Sequence, residues 1–269
     1  MAYPRIPGHE VIGVIRALGD EVAGWKIGDR AGVGWNGGHG IDPEVIGLVL
    51  EGGYAEYMVA YANGMAQIPA GISSEEAAPL VCAGVTTFGA LKNSAARFGD
   101  VVAVQGIGGL GHLAIQYAHH AGFYTMAVSR GQDKKALSLE LGAHRYIDAD
   151  SEDASALLKE LGGARVILAT ASNGKAIADL FDGLGPVGEM VVVAGTGEPM
   201  PIAPTQLLNG RRRLRAWTAG QAKDSEDTIQ FSIRAGVHPM IETFSLEEAP
   251  KAFERMMSSK VRFRAVLTM

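Results

Sequence analysis

The chain has 269 residues, 47% of them hydrophobic and 20% charged, with a formal net charge of -5. That length allows about one to two domains with a full core, and the acidic balance argues against nucleic acid or an anionic membrane as a partner. The single cysteine, Cys82, excludes an internal disulfide and an all-cysteine zinc site. MAYPRIPGHE lacks the apolar core of a signal peptide and no uncharged apolar run is long enough to span a bilayer, so a soluble, cytoplasmic protein is expected.

From the N-terminus, EVIGVIRALG, GDRAGVGW and GGYAEYMVA read as short strands separated by glycine turns. At Pro79 the pattern changes. VVAVQG (101–106) is an apolar, buried type of strand, and LGHLAIQYAHHAG places Leu110, Leu113, Ala114, Tyr117 and Ala118 on one helical stripe. YTMAVS is the next strand and DKKALSLELGA the next helix, with Gly142 as its stop signal. RYIDA, a helix across SEDASALLKELGG, RVILATA, a helix across AIADLFDGL, and EMVVVAG continue the alternation. RLRAWTAG predicts a sixth strand and SEDTIQFSIRAG a closing helix. This alternation predicts an α/β fold, a doubly wound parallel sheet with helices on both faces. VRFRAVLTM is β-like again and is expected to return to the first, β-rich domain. The expected division is residues 1–81 completed by 237–269, with 82–236 as the α/β domain.

The strongest local signal is VVAVQGIGGLGHLAIQYAHHAG, where Gly106, Gly108 and Gly111 form GxGxxG between a strand and a helix. The first glycine permits the sharp turn, the second close approach of a pyrophosphate, and the third close packing of helix on strand. Free N–H groups at the helix N-terminus suit a phosphate. In this context the motif predicts a Rossmann dinucleotide site, with Gly106, Gly108, Gly109, Leu110 and Gly111 around the phosphates. Thr170 and Ala171, ending RVILATA, fall where the cofactor ribose crosses the switch point of such a sheet.

The end of the following strand selects between the two nicotinamide cofactors. An NAD site usually carries Asp or Glu there to bind the ribose 2′-hydroxyl. Here the residues are Ser129, Arg130 and Gly131, and Lys134 adds a further cation. A hydroxyl and a guanidinium suit a 2′-phosphate, so NADP(H) is expected in preference to NAD(H).

The runs IPGHEVIGVIRALGDEVAGWKIGDRAGVGW, GGYAEYMVA, EEAAPLVCAGVTTFGALK and VAVQGIGGLGHLAIQYA, in this order, resemble the zinc-dependent alcohol dehydrogenases of the medium-chain dehydrogenase/reductase superfamily. The resemblance implies a GroES-like β-barrel domain, here partial, beside the Rossmann domain. It implies reversible oxidation of alcohols to aldehydes or ketones, with hydride passing to or from the nicotinamide. Carried over residue by residue, the GHE motif gives His9 and Glu10, and the CAG motif gives Cys82, as ligands of one catalytic zinc. Such an ion would polarise the substrate oxygen and stabilise an alkoxide. Thr86 matches a family position near the nicotinamide, and Arg264 a family arginine that reaches the cofactor phosphates. Two departures stand out: the family's segment before GHE, with a further cysteine ligand and a proton relay, has no counterpart, and its four-cysteine lobe is replaced around Asp42-Pro43. No structural zinc is therefore expected. The resemblance further implies a homodimer through the last Rossmann strand, within RLRAWTAG. His112, His119 and His120 read as ordinary helix residues, the last two suiting the helix C-terminus. Two other readings compete: a catalytically impaired homologue serving only as an NAD(P)-binding module, and a zinc-independent NADPH reductase of the same superfamily.

Overall fold

The computed structural model describes residues 4–37 and 45–269; the expected excision point at Asp42-Pro43 lies outside the described residues. The elements begin with β1 (Val11–Val14), β2 (Arg30–Val33), β3 (Met65–Gln67), α1 (Ser74–Pro79), a π-helical turn (Leu80–Gly84) and α2 (Val85–Lys92). Next come β4 (Val101–Gln105), α3 (Gly111–His120), β5 (Tyr124–Ser129), α4 (Lys135–Glu140), β6 (Arg145–Asp148), α5 (Ala154–Glu160), β7 (Ala164–Ala169), α6 (Gly174–Leu180) and β8 (Leu184–Val192). The chain ends with α7 (Pro204–Leu208), β9 (Arg213–Ala216), α8 (Ala222–Ala235), β10 (Ile241–Ser245), α9 (Ala249–Met257) and β11 (Arg264–Thr268). They fall into two compact units, Thr86–Thr218, and Met1–Val85 with Ala219–Met269.

The continuous unit, Thr86–Thr218, carries a six-stranded parallel sheet in the order β6-β5-β4-β7-β8-β9. This is the Rossmann order, and its reversal between β4 and β7 opens a crevice at the carboxyl ends of the strands. The strands form because apolar runs too short for helices are buried on both faces. Val102, Ala103, Val104, Met126, Ile147, Ile167 and Met190 are all fully buried, each larger side chain contributing about 2 kcal/mol of hydrophobic stabilisation. Local signals set the helix ends. Asp153 caps α5 by accepting from the Ala156 N–H at 3.0 Å, and Asn173 caps α6 through the Ala176 N–H at 2.8 Å. Gly142 follows α4 in a left-handed conformation, φ +103°.

The discontinuous unit pairs β1, β2 and β3 in an antiparallel sheet, with Val11 opposite Val33 and Ala31 opposite Gln67. β11 pairs in parallel with β10 and not with that sheet. The unit differs from expectation in two ways. Its boundaries fall at Val85 and Ala219 rather than at 81 and 237, because α8 packs against the π-helical turn and β3. The Glu226 carboxylate on α8 accepts from the Gln67 N–H at 3.0 Å, and Asn36 donates to the Gly220 carbonyl at 3.1 Å. Second, GGYAEYMVA forms no strand among the described residues. Its alternation is right for a strand, but only its first residues find a backbone partner, Gly52 and Tyr54 donating to the Ile6 and Pro7 carbonyls at 2.8 and 3.0 Å, and Tyr57 and Val59 are left 75% and 98% exposed.

One buried charge ties the far edge of the Rossmann sheet together. Glu189 on β8, 3% exposed, accepts from the Ala95 N–H at 2.6 Å and from Arg215 Nε at 3.1 Å. Arg215 on β9 also donates to the Asn93 carbonyl at 2.9 Å and stacks over Trp217. Breaking a buried pair leaves a charge and a donor unsatisfied. Glu189→Ala should therefore lower unfolding stability by about 3 kcal/mol, read by urea denaturation, whereas a change below about 1 kcal/mol would reduce the pair to a surface contact.

Candidate functional site

In the continuous unit the chain leaves β4 at Gly106 and enters α3 at Gly111. Gly106 has φ +90°, a left-handed value that favours glycine. A Cβ on Gly111 would lie 1.9 Å from the Gly106 carbonyl oxygen, so only glycine lets the helix pack this closely. A Cβ on Gly108 would meet nothing within 4 Å, which leaves the backbone there open to close approach. The N–H groups of Ile107, Gly108, Gly109 and Leu110 make no hydrogen bond with the described residues. They form a row of free donors at a helix N-terminus, suited to an anion.

Neighbouring residues brace this loop. The Thr170 hydroxyl at the end of β7 lies 2.9 Å from the Gln105 carbonyl and 3.0 Å from that of Gly106, so its one proton holds the turn at the switch point. The Thr170 N–H donates to Gln105 O at 2.9 Å, and the Ala171 N–H lies beside Gly106. His112 is wholly buried, and its Nδ1 donates to the Gly108 carbonyl at 2.9 Å. That gives it a structural part in the loop, which the expectation of an ordinary helix residue missed; its position one residue past Gly111 is the available signal. His119 and His120 are exposed at the end of α3, as expected.

Ser129 ends β5, beside Asp148 of β6 in the parallel register. Arg130 is exposed and bonds to none of the described residues. Lys134 precedes α4, and its carbonyl accepts from the Ser138 hydroxyl at 2.8 Å. Thr86, on α2, is 5% exposed. Two residues not singled out from sequence also reach the 129–132 loop. The Tyr146 hydroxyl donates to the Gly131 carbonyl, and the Asp148 carboxylate accepts from the Gly131 N–H at 2.8 Å.

In the discontinuous unit, the Glu10 charge acts on both His9 and Cys82. Cys82 sits on the π-helical turn that follows Pro79, a local irregularity of a kind common at functional sites. Glu10 reaches that turn, accepting from the Ala83 N–H at 3.2 Å through Oε1. Its Oε2 accepts from Arg264 Nη2 in a short ion pair. Arg264, expected at cofactor phosphates, is thus held by Glu10. The His9 ring meets Trp35 edge to face at 4.8 Å. Burial lowers the pKa of His9, against an opposing pull from Glu10. Burial, reinforced by Glu10, pushes the Cys82 thiol up to about 12. Tyr54 feels the same field, raised first by burial and then by Glu10, and its ring packs where a Cβ on Gly8 would stand. Tyr54 and Trp35 were not legible as site residues from spacing alone.

These donors do not fit a three-ligand metal shell as folded. Both Glu10 oxygens are engaged by protein donors, an arginine and a main-chain N–H, and burial raises the Cys82 thiol, so a cation bound there would have to displace Arg264 and the thiol proton. Among the described residues no three His, Cys, Asp or Glu side chains are grouped to hold a metal ion. No helix among them is long and apolar enough to cross a membrane.

Comparison with known proteins agrees with both units. The model for the alcohol dehydrogenase GroES-like domain matches residues 1–70, and that for zinc-binding dehydrogenases matches residues 109–234. The alcohol dehydrogenase notN of Aspergillus sp. (strain MF297-2) is 42% identical over 99% of this chain and 83% of its own. A cinnamyl alcohol dehydrogenase of Sorghum bicolor, SbCAD4, superposes with a TM-score of 0.88 at 28% identity, covering 99% of this chain and 82% of the other. The CAD of Helicobacter pylori, solved in complex with NADP(H), gives a TM-score of 0.83 at 26% identity over 99% and 82%. With a Rossmann sheet, a glycine turn of this shape between strand and helix, and relatives over 99% of its length, the chain belongs to the alcohol dehydrogenases of the medium-chain dehydrogenase/reductase superfamily and is an oxidoreductase.

Proposed function

We propose that the protein transfers a hydride between NADP(H) and a small alcohol/aldehyde pair. The observation that carries this reading is the 106–111 loop, whose free N–H groups and open backbone at Gly108 suit a dinucleotide pyrophosphate. Gly106, Gly108, Gly109, Leu110 and Gly111 would contact the phosphates, Thr170 and Ala171 the ribose side of the switch point, and Thr86 the nicotinamide end. When bound, NADP(H) would supply the hydride that reduces a carbonyl to an alcohol, the proton for the oxygen coming from solvent. A lone cysteine fits a reducing, cytoplasmic compartment.

NADP(H) is favoured over NAD(H) because β5 ends in Ser129 and Arg130 rather than a carboxylate, with Lys134 close in sequence. The CAD of Helicobacter pylori, a structural neighbour, was solved with that cofactor. Titration of the intrinsic nicotinamide fluorescence should give at least about tenfold tighter binding of NADPH than of NADH, the scale of one charge-assisted contact. Equal affinities would remove the preference.

A catalytic zinc on His9, Glu10 and Cys82 requires Glu10 to leave Arg264 and Cys82 to lose its proton. The Glu10–Arg264 pair therefore favours a second reading, a zinc-independent NADPH reductase of the same superfamily. Protein purified without added metal should carry substoichiometric zinc by mass spectrometry. Arg264→Met, which frees Glu10, should raise it, and iodoacetamide should alkylate wild-type Cys82 slowly with or without a chelator. Stoichiometric zinc in the wild type, or alkylation accelerated by the chelator, would restore the three-ligand site.

We place a homodimer contact at β9, the last strand of the sheet, whose outer edge carries the 37%-exposed Leu214. Leu214→Asp should shift the sedimenting species from dimer to monomer; a monomeric wild type would remove this contact.

A further inference from the structure

We propose that Tyr146 and Asp148, on β6, are positioning residues that set the cofactor preference by fixing the backbone of the 129–132 loop. This rests on the NADP(H) reading above.

Strand alternation puts the two side chains on one face of β6, and both are nearly buried, at 6% and 5% exposure. In the parallel register Tyr146 stands beside Ala127 and Asp148 beside Ser129, at the end of β5 from which the loop departs. The Tyr146 hydroxyl donates to the Gly131 carbonyl at 2.5 Å. Asp148 Oδ1 accepts from the Gly131 N–H at 2.8 Å, and Oδ2 from Gln132 Nε2 at 2.7 Å. Both main-chain polar groups of Gly131 are thus held by side chains of the adjacent strand. Gly131 has φ +71°, and a Cβ there would meet nothing within 4 Å. Glycine serves the backbone conformation at this point, not a lack of space.

Arg130 lies between Ser129, whose carbonyl accepts from the Ala149 N–H at 2.8 Å, and Gly131, while its own side chain is exposed and bonds to none of the described residues. A guanidinium on a wandering loop must be ordered each time a phosphate binds, and a backbone already fixed removes that loss. Discrimination by Arg130 then depends on the hold at Gly131 as well as on its charge. The Asp148 carboxylate is kept anionic, first by the Asp150 N–H at 3.1 Å and then by Gln132. With three donors turned toward it, it holds the loop and is not offered to a ribose hydroxyl in the way a carboxylate ending β5 would be.

The test is NADPH and NADH binding to the full chain, wild type and variants, with melting temperatures recorded. Tyr146→Phe and Asp148→Ala should each weaken NADPH about tenfold or more and NADH less than about threefold. Asp148→Asn, whose side-chain carbonyl can still accept from the Gly131 N–H, should recover part of the preference. Equal weakening of both cofactors would show a purely structural role and overturn the inference. So would an unchanged preference, or a selective loss of NADH, which would make Asp148 a ribose ligand. Should Asp148→Ala fail to fold, Tyr146→Phe and Gln132→Ala, which remove loop hydrogen bonds only, carry the same test. Wild type and Arg130→Ala report on the underlying reading separately. If the wild type shows no preference, or Arg130→Ala keeps it, the NADP(H) assignment fails; if Arg130→Ala loses it while Tyr146→Phe and Asp148→Ala keep it, only the positioning role fails.

Discussion

A single methyl group at residue 111 would stand 1.9 Å from the carbonyl oxygen of Gly106. That contact limit controls the continuous unit. It lets α3 begin directly above the end of β4, which brings the free N–H groups of the loop to the carboxyl edge of the sheet. The supports all serve this approach: Thr170 from β7, His112 from within α3, and the Val128 carbonyl of β5, which accepts from the Gly106 N–H at 2.9 Å. The sheet below is apolar and densely buried, so the strand ends that carry Gly106, Ser129 and Thr170 have little freedom to drift.

The discontinuous unit is organised by charge instead. Glu10 and Arg264 face each other with little solvent between them, their side chains 19% and 27% exposed. His9, Tyr54 and Cys82 all lie in the field of this pair. The pairing keeps a buried carboxylate compensated, and it removes from Glu10 the freedom that a metal ligand needs. The same short motifs that mark the family therefore fold here into an arrangement in which protein donors, an arginine and a main-chain N–H, satisfy the carboxylate.

How much was legible beforehand follows the range of the interactions. The Rossmann strands and most of its helices are visible in sequence, because apolar runs, helical stripes and stop signals such as Gly142 act within a few residues. The strand–turn–helix geometry of the 106–111 loop is visible for the same reason. The membership of α8 was not, since its amphipathic pattern says that it packs on something but not that the partner is the π-helical turn and β3. GGYAEYMVA shows the opposite failure: alternation states a preference for pairing, and beyond Tyr54 no second strand lies alongside among the described residues. The Glu10–Arg264 contact spans 254 positions and leaves no local trace. Tyr146 and Asp148 belong to RYIDA, a strand visible in sequence, yet their hold on Gly131 depends on the register of β6 against β5.

The division of the chain between the two units has a temporal side. The segment from Thr86 to Thr218 is continuous and has all its partners once it has been synthesised. The other unit is assembled from both ends of the chain. At about 5–20 residues per second of translation, Glu10 exists for on the order of ten seconds or longer before Arg264 is made. During that interval the N-terminal β-sheet lacks the cation that compensates its carboxylate and the helix, α8, that covers β3. Losses from the C-terminal end of this protein are therefore felt first by the residues at its beginning.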